Sequence, residues 1–288
     1  MKALVRTGRQ PAPSVPVQVY TAQRMRLPRL GTYLSDLWTR RHFAQHLIRT
    51  QLRTQQSGTV FGQLWLVINP LMLALIYFVL TNILRERSGG APFLAHLTVC
   101  VFAFHLVSTS VTSSARSVTR SGKLILNTAF PRSLLPIAAV LTAFVRFLPT
   151  MLVYAVIHLY AGLPIGWHLL WALPVLAELV VFSLGIGLAV SALQVYFRDL
   201  SNFLPYAVRL WLYSSPVLYY VDEVPHGIKP LLAWNPLVPM LASWSRVLPE
   251  GHVPHLHLML QGAAWALGAL VVGGLFFVSR EREFAVRL

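Results

Sequence analysis

Three ionisable residues, Arg146, Glu178 and Arg209, stand inside otherwise apolar runs of this 288-residue chain. A charge in such a place is costly, so it marks a buried pair or a polar pathway. At 1.5 Å per helical residue, Arg146 falls near the middle of its run. Glu178 falls nearer one end of the next, roughly 10 Å away along the axis. An inter-helix ion pair or a snorkelling contact is the plainer expectation, and lining of a polar translocation path the sharper one. Proton coupling through Glu178 alone has little support, because carriers bury several such groups. Other candidate chemistry is thinner. Gly122-Lys123 runs into Leu124 and lacks the earlier glycine of a phosphate-cradling loop. His252, His255 and His257 form the tightest histidine group, yet their pattern selects no metal, and none is expected. Asp222-Glu223 is the only adjacent acidic pair, and no serine, histidine and acid grouping suggests a hydrolase. The chain is expected to be no enzyme and to hold no cofactor of its own.

The elements that must position these residues follow from composition. Hydrophobic residues make up 56% of the chain and charged residues 11%, against roughly 45–50% and 25% in a soluble domain. Lipid, not water, must therefore contact most of the outside. A net charge of +15 would suit nucleic acid, but the charges gather at the ends of apolar runs, which favours lipid head groups instead. The single cysteine, Cys100, excludes an intramolecular disulfide and reads as a small buried residue. Crossing a bilayer takes about 20 apolar residues. Runs at 64–84, 93–113, 134–162, 169–197, 203–221 and 258–279 predict an all-α membrane protein with six transmembrane helices. Gly185 and Gly187 in the fourth run, and Gly268, Gly273 and Gly274 in the sixth, predict close helix packing. Basic residues crowd before the first run, between the second and third, and after the fourth and sixth. The alternate segments hold only Arg85, Arg87, Lys229 and Arg246. That asymmetry places both termini in the cytoplasm.

Two further segments are shaped by the membrane without crossing it. Residues 34–54 are too polar to span. On a helical wheel Leu34, Leu37, Ala44, Ile48 and Leu52 share one side, while His42, His46, Arg49 and Arg53 share the other. This predicts an amphipathic helix in the inner interface, although Arg40 and Arg41 fall near its apolar sector. Between the fifth and sixth runs, Leu231, Leu232, Leu237, Met240 and Leu241 flank Asn235-Pro236 in stretches too short to cross. They predict a pair of outer re-entrant helices forming a gate, since broken backbone at depth needs protein or a watery cavity around it. Residues 1–33 carry several arginines and prolines and no apolar core of a signal peptide. They read as a flexible cytoplasmic tail before one membrane domain over 34–288.

Specific strings add a family likeness. Residues 47–54 lead into Ser57-Gly58-Thr59-Val60-Phe61-Gly62-Gln63-Leu64-Trp65 and Asn69-Pro70. Leu124 to Arg132 then precede the third run, and Tyr196-Phe197-Arg198-Asp199-Leu200 follow the fourth. Ser215-Pro216-Val217-Leu218-Tyr219 ends the fifth, and Asn235-Pro236-Leu237 opens the outer helices. Over about residues 34–288 the chain resembles the membrane subunits of type-two ABC permeases, which export bacterial polysaccharides such as O-antigen, capsule, teichoic acid and galactan. The resemblance implies a homodimer, each copy bound to a separate ATPase subunit that holds ATP and Mg, and no nucleic-acid partner. It implies that the substrate is a glycan on a polyprenyl pyrophosphate. ATPase coupling would fall to the segment holding Arg116, Arg120, Lys123 and Arg132. The lipid head group would meet inner-rim arginines such as Arg49 and Arg53, with Arg198 and Asp199 at the inner gate. Leu232, Asn235, Pro236, Leu237 and Met240 would form the outer gate. A drug or lipid exporter of the same family is the nearest alternative. An ion-coupled carrier would show an internal repeat, and a glycosyltransferase would need acidic residues at the membrane surface.

Overall fold

The computed structural model describes residues 30–54, 62–85, 90–225, 227, 229–232 and 234–287. Of the tail expected over 1–33, residues 1–29 lie outside the described residues, as does the string 57–61, whereas residues 30–33 are helical. In chain order the helices are α1 (Leu30–Thr39), α2 (Arg41–Thr54), α3 (Trp65–Arg85), α4 (Gly90–Arg120), α5 (Gly122–Asn127) and α6 (Leu134–Tyr160). They continue with α7 (Ala172–Tyr196), α8 (Leu200–Ser214), α9 (Lys229–Leu232), α10 (Leu237–Val247), α11 (Leu256–Arg280) and α12 (Phe284–Arg287). Among the described residues there is no strand.

Among the described residues four segments are long and apolar enough to cross a membrane: Gly90–Arg120, Leu134–Tyr160, Trp167–Tyr196 and Leu256–Arg287. The central one is α4, enclosed by α3, α6, α7, α8 and α10. Around it the outward faces are oily. Leu152, Val156 and Leu159 on α6, and Leu260, Leu267 and Val272 on α11, are exposed, as a lipid-facing surface requires. Antiparallel succession puts the ends of α4, α7 and α11 beside the start of α6. One end of the bundle therefore collects Arg116, Arg120, Lys123, Arg132, Arg198 and the α11–α12 tail.

Two elements differ from the sequence expectation. The fifth run was expected as one helix over 203–221, but α8 ends at Ser214. Pro216 forces the residue before it out of the helical region, and Ser215 is extended at φ −100°, ψ 151°. At 1.5 Å per residue, α8 is about 22 Å long, short of the roughly 30 Å hydrocarbon core. The expected single amphipathic helix over 34–54 is two helices with a break at Arg40. The break disposes of the mismatched arginines. Arg40 turns to the carbonyl of Ala129, and Arg41 stacks on Trp38 at 5.3 Å. On α2, Ala44 is buried and Leu47, Ile48 and Gln51 are half-buried, while His42, His46 and Arg49 are exposed. That inward face rests on the start of α6, where the Thr142 hydroxyl donates to Gln51 Oε1 at 3.0 Å and Phe43 packs on Phe130 at 5.0 Å.

Candidate functional site

Within the bundle, α3, α4 and α6 surround a cavity of about 240 Å³. Its polar lining comes from Asn69 on α3, His105 and Thr109 on α4, and Arg146 and Thr150 on α6, with Trp65, Phe102 and Phe147 as aromatic walls. On α4 the lining positions 102, 105, 106 and 109 follow the i, i+3, i+4, i+7 spacing of one helix face. Thr109 Oγ1 and His105 Nε2 lie 3.4 Å apart. Arg146 Nε and Nη2 are shielded from solvent and have no hydrogen-bond partner among the described residues.

Arg146 and Glu178, whose pairing the sequence leaves open, do not pair. Glu178, on α7, turns toward α11, where a Cβ on Gly262 would meet its Oε2 at 2.3 Å and Met240 at 3.3 Å. Its Oε2 is likewise buried without a hydrogen-bond partner among the described residues. The two groups face opposite sides of the α6–α7 layer, so depth along the helices brings them near while helix rotation holds them apart. Arg209 is exposed on α8, where Tyr213 meets Tyr77 of α3 edge-on at 6.4 Å.

At the arginine-rich end the basic residues divide by role. Arg132 bonds Glu281 through both its backbone N–H and its guanidinium. The Tyr33 hydroxyl lies 2.7 Å from both Glu281 Oε2 and Ser133 Oγ, so it donates to the carboxylate and accepts from the serine. Burial lifts the Tyr33 hydroxyl above its ordinary range, and the Glu281 charge pushes it the same way. Burial pulls the Arg132 guanidinium down, and the same carboxylate holds it up. Helix α1, the α5–α6 link and the α11–α12 tail are thereby tied at one point. Arg116 reaches the Ser201 carbonyl at 3.4 Å and, with Arg120, faces α8. Lys123 is exposed on α5 next to Leu126, which is 62% exposed. Arg198 is exposed and donates to the Arg287 carbonyl at 3.4 Å. Among the described residues no ion pair joins it to Asp199, which caps α8 without a side-chain hydrogen bond. Arg49 is exposed on α2, and the Arg53 side chain lies outside what is described.

At the opposite end α10 is almost wholly enclosed. Leu237, Met240, Leu241 and Trp244 are buried, and Trp244 Nε1 donates to the Val99 carbonyl at 3.2 Å. Asn235 closes the break before it. Its Oδ1 accepts from Trp211 Nε1 at 2.9 Å and from the Leu237 N–H at 3.1 Å. Its Nδ2 donates to the Ser214 carbonyl at 3.0 Å and to Ser215 Oγ at 3.1 Å. One amide thus ties the end of α8 to the start of α10, with Pro236 at the helix cap and Leu232 half-buried before it. Nearby, Ser245 Oγ lies 2.7 Å from His96 Nδ1 and 3.0 Å from Glu250 Oε1. Sequence reading missed the His96–Ser245–Glu250 chain, because His96 lies 149 residues from Ser245. It also missed His105 and Thr109, although two polar residues one turn apart in an apolar run were a usable signal.

Long apolar helices with oily outer faces, and polar groups gathered inside and at the ends, define a multi-pass integral membrane protein. The chain belongs to the ABC-2 type transporter family, which it matches over residues 43–245, and is a membrane transport subunit. It is 31% identical to the O-antigen export system permease protein RfbA of Klebsiella pneumoniae, over 69% of this chain and 77% of that one. With the RfbA of Myxococcus xanthus it shares 28% identity over 87% of this chain and 96% of the relative. It is also 20% identical to the capsule polysaccharide export inner-membrane protein CtrC of Neisseria meningitidis, over 72% and 79% of the two chains.

Proposed function

We propose that this chain is the permease subunit of an ABC exporter that moves a polyprenyl-pyrophosphate-linked polysaccharide across the bacterial inner membrane. It works as a homodimer, and a separate ATPase subunit binds ATP and Mg and supplies the power. The chain crosses six times, with α3, and α8 together with the residues that follow Ser214, completing the set of longer helices. Both termini and the arginine-rich end are cytoplasmic, and α1–α2 lie in the inner interface. The docking element is α5, which presents Lys123 and Leu126, is flanked by Arg116 and Arg120, and is braced through Arg132. Arg49, Arg53, Arg198 and Asp199 line the inner rim, where arginines suit a diphosphate head group. Arg146, Glu178 and Arg209 supply polarity at depth. The re-entrant α9–α10 pair, with Leu232, Asn235, Pro236, Leu237 and Met240, gates the outer mouth.

One observation carries this reading: the family match runs from α2 to α10, the elements that build the arginine-rich end, the cavity and the enclosed α10. The two RfbA relatives are named for O-antigen export and the CtrC relative for capsule polysaccharide export. Depletion of the chain, followed by analysis of lipid-linked glycans on the two membrane faces, tests it. Glycan should accumulate on the cytoplasmic face and clear when the chain is restored. An unchanged distribution rejects the proposal, and accumulation of another lipid or drug in its place selects the other branch of the family.

A further inference from the structure

We infer that the cavity between α3, α4 and α6 is an anion site that takes the phosphate of a lipid head group, with Arg146 as its cationic anchor. This deepens the export reading by assigning a part of the substrate to a place in the chain, and it rests on that reading only for the side of the membrane.

Arg146 sets the chemistry. Even partial withdrawal of a guanidinium from water without a counter-charge is costly, and Nε and Nη2 of the half-buried Arg146 are enclosed without a partner among the described residues. The described acids are engaged or placed elsewhere. Glu178 packs on Gly262, Glu281 is held by Arg132 and Tyr33, and Glu283 bonds Tyr196 at 2.6 Å and Arg280 at 3.3 Å. Glu250 takes the Ser245 hydroxyl. Asp36 and Asp199 lie at the arginine-rich end, and Asp222 and Glu223 follow α8 at the other. The planar fork of arginine matches the spacing of phosphate oxygens, and about 240 Å³ has room for a phosphate and its ester link. Asn69, Thr109 and Thr150 add neutral hydrogen-bonding groups around it.

Access selects the source of the phosphate. Trp65 and Asn69 on the cavity's α3 side are exposed, so the cavity reaches the outer face of the bundle along α3. Met72, Leu75, Ile76 and Val79 continue that face as exposed apolar surface. A ligand arriving by this route brings its own hydrocarbon, and a free inorganic anion would have to cross oil. Thr142, one helical turn before Arg146, bonds Gln51 of α2. The arginine-bearing α2 therefore sits beside the cavity, on the same face of α6.

Binding to the full-length chain in phosphatidylcholine nanodiscs tests the site, using undecaprenyl phosphate, neutral undecaprenol and inorganic pyrophosphate as probes. Wild type should prefer the phosphate over the alcohol by roughly tenfold or more, the scale of a charge-assisted hydrogen bond. Arg146→Gln should erase that preference and leave binding of the alcohol unchanged. Retained preference in Arg146→Gln overturns the site, and displacement by inorganic pyrophosphate at equal concentration overturns the lipid source. Should that variant fail to fold, Ala143→Leu decides, because it fills the cavity and leaves the guanidinium in place. Loss of the preference then supports the site, and an unchanged preference rejects it. Neither the ATPase nor the glycan enters this measurement, so failure of the export reading and failure of the site are distinguishable.

Discussion

The seam between α7 and α11 and the cavity between α3, α4 and α6 solve opposite problems with the same secondary structure. Along the seam the backbones touch. A Cβ on Gly185 would meet the Ala269 carbonyl carbon at 2.3 Å, and one on Gly273 would meet the Gly185 carbonyl oxygen at 2.0 Å. No hydrophobic gain separates two helices from lipid tails, so close backbone approach through small residues is what holds such a pair. Across α4 the helices stand further apart, and the gap is lined by Arg146, Asn69 and two threonines. Tight contact makes a scaffold that tolerates no added atom, whereas a polar gap makes a place for a ligand at the expense of packing. The contrast predicts that damage at the seam destroys the protein and damage at the cavity changes what it binds.

The largest effect is expected at the seam. Gly273→Leu or Gly185→Leu drives a side chain into backbone that cannot yield, and overpacking of this kind costs about 1–3 kcal/mol or more. Both variants should lose the monodisperse, thermally cooperative state in detergent. Survival of either with an unchanged melting temperature would show that α7 and α11 can separate, and would end the scaffold reading. An intermediate effect is expected at Asn235. Asn235→Ala strips four hydrogen bonds and leaves three of the partners, Trp211, Ser215 and Leu237, buried or half-buried and unmet, at about 1–3 kcal/mol. The chain should still fold, with faster hydrogen exchange over 214–240 and no change over α7 and α11. Uniform acceleration would mean that the α8–α10 tie is part of the scaffold. The smallest effect belongs to Arg198→Ala. An exposed side chain with one long hydrogen bond changes stability by less than about 0.5 kcal/mol, so assembly and melting should match wild type. A fall in export without a fall in stability would then assign Arg198 to the inner gate, and wild-type export would return it to the surface.

Much of this is legible in the sequence alone. The apolar runs had to be helices, because no other open structure satisfies its backbone in lipid, and the runs at 93–113, 134–162, 169–197 and 258–279 lie within or against the four membrane-length helices. Gly185 and Gly273 were legible as packing residues. Gly268 and Gly274, read the same way, would place a Cβ in open space, and Gly262 escaped notice although it receives Glu178. The distinction is azimuth. Residue type and depth along a helix are one-dimensional, and 1.5 Å per residue reads them directly. The rotation of each helix against its neighbours is fixed by packing with segments far away in the chain.

The sequence by itself therefore determined the all-helical membrane class, the asymmetry that gathers arginine at one end, and the family likeness. Only the tertiary structure decided that Arg146 and Glu178 look away from each other. It alone showed that Pro216 ends α8 at Ser214 and that Asn235 binds that end to α10. Composition answers to the solvent, which every residue of a run shares. A partner answers to geometry, which no run contains.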